Sequence, residues 1–149
     1  MTVLIKTSRG LLRLDKKRLR NITENLLVSL GQQDRDFSIL FTDNKKIAAL
    51  NLKCFGKNGP TNVISFSYLD GFQCEVLGDL IISVEEAQKE AREAGLPFYE
   101  RLLSLIIHGL LHVLGFDHEK GAEARRMRYR ENKLLTYVKA LSEYKKITL

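Results

Sequence analysis

A chain of 149 residues has room for about one domain, and with 44% of its residues hydrophobic and 28% charged it has the make-up of an ordinary globular protein. Ten glycines and two prolines exclude collagen-like and low-complexity readings, and no apolar run approaches the roughly 18 residues of a membrane span. The 24 Lys and Arg outnumber the 18 Asp and Glu, a formal charge of +6 that biases the protein toward polyanions and makes nucleic acid the first partner to test. The opening MTVLIKTSRG has no long apolar stretch with a small-residue cleavage site, so a cytoplasmic location is expected, with Cys54 and Cys74 as reduced thiols.

Along the chain, Val3 to Lys6 reads as a short strand, and Asp15 to Leu30 carries Leu19, Ile22, Leu26, Leu27 and Leu30 at helical spacing before Gly31 stops it. Phe37 to Thr42 is a second strand, after which Asp43 caps a helix through Ile47, Leu50 and Cys54. Phe55 to Pro60 is rich in glycine and turn residues and reads as a loop; Thr61 to Tyr68 is a β-branched and aromatic strand. Asp70-Gly71 predicts a turn into a fourth strand, Val76 to Ile82, and Ser83 with Glu86 forms a capping box opening a helix that Gly95 ends. Beyond Pro97, the stretch from Leu102 to Leu114 is apolar nearly all round and must form a central, buried helix. From Glu119 onward, Ala124, Met127, Leu134, Leu135, Val138 and Leu141 mark one charged amphipathic helix on the outside. No internal repeat, linker or domain boundary interrupts residues 1–149, so one domain is expected.

All three histidines fall in the segment HGLLHVLGFDH, at 108, 112 and 118. His108 and His112, four apart, stack on one helical face at the separation that two ligands of one ion require. Gly115 stands where a helix commonly ends in a left-handed residue, which would turn the chain back and carry His118 toward the same point. A lone histidine on an apolar helix is ordinarily a satisfied core residue; three at this spacing, in a chain with no other, favour a metal site. Three imidazoles leave a fourth tetrahedral position to water, the open arrangement of catalytic zinc, and hydrolysis is the reaction class that follows. Zinc is the ion expected, although imidazole also suits nickel, copper and iron. Asp117 either orients an imidazole or closes the turn.

The segment resembles the HExxHxxGxxH motif of metzincin proteases, except that Gly109 stands where those enzymes carry a glutamate base. As HGxLHxxGxDH it is more similar to the signature of the YbeY family of bacterial rRNA maturation factors, and the likeness extends upstream. Leu50-Asn51 and the run from Gly56 to Phe66 resemble that family's LNxxYRGKDxPTDVLSF stretch, and Leu77 to Ser83 its LGDIxIS strand. The resemblance implies a small zincin-like α+β domain: a mixed four-stranded sheet, the metal-binding helix buried beneath it and further helices at its flanks. It also implies a single-strand-specific endoribonuclease binding one zinc through His108, His112 and His118, which acts on the 16S rRNA 3′ end and in ribosome quality control, with RNA and ribosomal particles as partners. Cys54-Phe55 replaces the family's Tyr-Arg, so an arginine that could clamp phosphate in two-pronged fashion is missing, and Lys57 offers only a point charge. Lys57, Asn58, Thr61 and Asn62 are the expected substrate contacts. Two other readings stay open at this point: a metalloprotease without its glutamate, and a non-catalytic assembly factor whose metal holds the fold.

The basic runs at Lys16-Lys17-Arg18, Lys45-Lys46 and Arg125 to Arg130 read as solvated helix faces. Phe55, Tyr68, Ser65 and Met127 read more readily as packing or local hydrogen-bonding residues than as site residues.

Overall fold

Ten of the sixteen residues of one helix, α4 (Phe98–Val113), are buried, which makes it the axis on which the other elements pack. The computed structural model describes residues 2–11, 13–68, 75–116 and 121–147. Ahead of α4 come β1 (Val3–Thr7), α1 (Lys16–Ser29), β2 (Asp36–Thr42), α2 (Asn44–Phe55), β3 (Val63–Ser67), β4 (Val76–Ser83) and α3 (Val84–Ala94); α5 (Gly121–Lys139) and α6 (Ser142–Ile147) follow it. No helix among the described residues is long and apolar enough to cross a membrane.

The four strands form one sheet in the order β1-β2-β4-β3. β1 with β2 and β2 with β4 run parallel, which demands crossover connections, and β3 is antiparallel to β4. The sheet is therefore mixed and the fold α+β, as the resemblance implies. Phe37, Ile39 and Phe41 of β2 and Leu77, Leu80 and Ile82 of β4 are buried in the same cluster as Leu102, Ile106, Leu110 and Val113 of α4.

Helix starts follow their caps. Asp15 and Asp43 accept from the backbone N–H groups of Arg18 and Lys46, satisfying donors that the first turn leaves without partners. Hydrogen bonding from Arg18 also holds the Asp15 carboxyl below its usual range. The capping box at Ser83 is half realised: its hydroxyl accepts from Glu86 N, while the Glu86 carboxylate accepts from Asn44 Nδ2. The long-range bond ties α2 to α3, and it outcompetes the local one.

Three sequence-based expectations need correction. Phe55, expected in a loop, is the last residue of α2, because the left-handed turn comes only at Gly56. The third strand is shorter than expected, at Val63–Ser67. The C-terminal helix is two helices: Leu141 sits in the turn where its N–H reaches Val138 O at 3.0 Å, and α6 then packs against α1 with Ile147 buried. The Asp70-Gly71 turn and Cys74 lie outside the described residues.

The seating of α4 on the sheet is the feature that positions the site. A Cβ at Gly109 would come within 2.7 Å of Leu80 Cδ2 and 3.2 Å of Val63 Cγ2, so backbone and sheet meet closer than any side chain allows. Two hydroxyls of β3 secure the same approach: Ser65 Oγ donates to Gly109 O at 3.3 Å and Ser67 Oγ to Val113 O at 2.7 Å. On the other flank, Lys139 Nζ pairs with the carboxylate of the buried Glu100 and so ties α5 to α4. Overpacking costs about 1–3 kcal/mol, against about 1 kcal/mol gained in helix propensity by Gly→Ala. Gly109→Ala should therefore lower the Tm by no more than about 8 °C. Gly109→Glu, which adds a carboxylate to the same gap, should lower it far more or abolish soluble expression; thermal unfolding of the two variants checks both expectations.

Candidate metal centre and its cleft

His108 and His112 project from one face of α4, their ring centroids 4.7 Å apart and their planes at 74°. Their Nε2 atoms lie 3.2 Å from each other. On its far side, His108 Nδ1 is 3.2 Å from Oε1 of Glu131 on α5, both side chains being nearly three-quarters buried. A carboxylate accepts, so Nδ1 donates to it, and in the neutral ring this leaves the lone pair of Nε2 on the His112 side. Two imidazole nitrogens so placed share either a proton or a cation. Zinc–nitrogen bonds of about 2.0–2.1 Å in a tetrahedron set neighbouring donors about 3.3–3.4 Å apart, so the observed pair fits such an ion.

The end of α4 has the expected form. Gly115 has φ +95, its N–H donates to His112 O at 3.0 Å, and Phe116 N–H donates to Leu111 O at 3.0 Å, the double bond of a Schellman turn. His118 and Asp117 lie outside the described residues. Among the described residues no group of three His, Cys, Asp or Glu side chains could hold a metal ion.

A cleft of about 570 Å³ opens over the histidines, with Lys57, Thr61, Asn62 and Phe55 on its walls. Of the expected substrate contacts, Asn58 alone does not line it; it is exposed on the same loop. That loop is anchored by Asn51, buried in α2, whose Nδ2 donates to Gly59 O at 3.1 Å. The Asn62 amide donates to the Glu90 carboxylate at 3.2 Å, and Glu90 Oε1 also accepts from Arg101 Nη2 at 3.1 Å. Tyr68 is turned to other use: its hydroxyl donates to Asp79 Oδ2 at 2.7 Å, which with burial pushes the phenol above its ordinary range.

A second cleft of about 340 Å³ meets the first at His108 and Asn62 and is lined by Arg101, Ser104, Arg128 and Glu131. Arg128 belongs to the run that reads as a solvated face, and Glu131 and Arg101 carry no distinguishing signal in the sequence. Within that run, Arg130 lies over the Phe116 ring at 5.3 Å from its centroid. Glu131 orients the His108 ring, a role that no signal in the sequence assigns to it. Only the packing of α5 on α4 brings it there, 23 residues away along the chain.

A mixed sheet backing one buried helix, with paired histidines lining a cleft beside Lys57, is the layout of a small α+β hydrolase. The model of the family described as Endoribonuclease YbeY matches residues 5–139. Curated relatives agree: Endoribonuclease YbeY of Geobacter sulfurreducens is 44% identical over 124 residues, covering 79% of this chain and 83% of that protein. The protein of the same name from Geobacter metallireducens is 42% identical over 123 residues, 78% and 82% of the two chains. The chain belongs to the YbeY endoribonuclease family. The fold is also that of TM1509 from Thermotoga maritima, whose solution structure matches with a TM-score of 0.68 at 24% identity, over 97% of this chain and 93% of that one.

Proposed function

We propose that this family member is a metal-dependent endoribonuclease of single-stranded RNA in which His108, His112 and His118 hold one zinc ion. Its setting, on this reading, is maturation of the 16S rRNA 3′ end and ribosome quality control in the cytoplasm, with RNA and ribosomal particles as partners. The observation that carries the proposal is the 3.2 Å approach of the two Nε2 atoms on the floor of a cleft walled by Lys57. When bound, zinc supplies Lewis acidity toward a phosphoryl oxygen and acidifies a nearby water.

The chain's own residues supply the rest. Glu131 fixes the His108 ring so that Nε2 is the ligating nitrogen. Lys57 is a point charge that neutralises the phosphate being cut, with Thr61 and Asn62 beside it on the wall. Arg101 and Arg128 extend the positive surface past His108 along the second cleft, where a backbone leaving the first would run. The alternative of a metalloprotease without its glutamate is separated from this reading by a peptide-cleavage assay.

Removal of one ligand tests the centre. His112→Ala should lose bound zinc by elemental analysis and cut single-stranded RNA about a thousandfold more slowly or worse, since the ion contributes several kcal/mol to the transition state. A variant that kept both zinc and cleavage would overturn the reading. Reconstituted protein that binds zinc but cuts no RNA would favour the non-catalytic assembly factor. Glu131→Gln leaves the ligands in place but weakens the hydrogen bond that orients one of them; its zinc affinity, measured by competition with a chelating dye, should fall about 10–100-fold.

A further inference from the structure

We propose that Phe55 is a stacking platform for an unpaired nucleobase, so that the cleft grips RNA by a base face at Phe55 and by phosphate at Lys57. The inference rests on the RNA reading above and adds a recognition element that the metal centre and Lys57 do not supply. Single exposed apolar residues are normal on protein surfaces, so the 49% exposure of Phe55 is not enough by itself. Its position is what matters: the ring lines the same cleft as His108, His112 and Lys57.

The platform is also rigid. Phe55 ends α2, whose left-handed cap at Gly56 returns an N–H to Leu52 O at 2.9 Å, and its ring is stacked on Phe66 of β3 with centroids 6.1 Å apart and planes at 20°. An aromatic ring already ordered by a neighbour loses little freedom when a ligand stacks on it. Every base has a π-face, so such a contact accepts any sequence. It requires an unstacked base, which a single strand presents and a duplex does not. Lys57, two residues on, and the arginines of the second cleft fix the partner as a polyanion.

The chain contains no tryptophan, so Phe55→Trp places a sole indole at the proposed contact. With zinc-loaded protein, its emission should be quenched by a short single-stranded oligoribonucleotide and unmoved by an abasic ribose-phosphate chain of equal length or by duplex RNA. Phe55→Ala and Phe55→Leu should each weaken binding of the oligoribonucleotide about 5–100-fold with unchanged zinc content, while Phe55→Tyr retains it. Equal affinity in Phe55→Ala, or equal quenching by the abasic chain, would overturn the stacking role even if RNA is still cut. Phe55-dependent binding without any cleavage would uphold it and sink the nuclease reading instead. An oligoribonucleotide that the unaltered protein neither binds nor cuts overturns both.

Discussion

The near-contact of the α4 backbone with β3 and β4 governs most of what the molecule can do. At Gly109 an added Cβ would come within 2.7 Å of Leu80 Cδ2 and 3.2 Å of Val63 Cγ2, and the hydroxyls of Ser65 and Ser67 hold the helix at that distance. Because a helix turns about 100° per residue, seating position 109 on the sheet leaves positions 108 and 112 facing the edge where β3 and the loop 56–62 form a wall. The constraint that seats the histidines also removes the position from which a metzincin glutamate would act.

Features set by local chemistry could be read from the residues alone. The i, i+4 histidines, the left-handed turn at Gly115, the aspartate cap at 43 and the apolar girth of α4 each depend on neighbours within about five positions, and each stands as expected. Features set by distant partners could not. Glu131 reaches His108 only because α5 lies on α4, and nothing in RRMRYRENK distinguishes the arginine that lines a cleft from one that lies over Phe116. The half-formed box at Ser83 belongs to the same class, since Asn44 claims the carboxylate of Glu86 from 42 residues away. The break between α5 and α6 has no glycine or proline to announce it; burial of Ile147 against the α1 side of the core accounts for it.

A polyanion entering this cleft would meet carboxylates as well as cations, and the arrangement of those carboxylates decides the balance. Glu90 is engaged by Arg101 and by the Asn62 amide, and Glu131 by the His108 ring. Each acid is therefore turned toward an internal partner: Glu90 is paired with the Arg101 guanidinium, where Coulomb attraction is strong, and Glu131 accepts a hydrogen bond from an imidazole. Lys57 lines the first cleft from a loop anchored by the Asn51 bond to Gly59. The acids thus serve positioning, Glu131 for an imidazole and Glu90 for the wall residue Asn62. A surface of this kind attracts a charged backbone without reading its sequence. On the proposed single-strand reading, discrimination against paired strands falls to an uncharged group, and Phe55 lines the cleft with half its surface exposed.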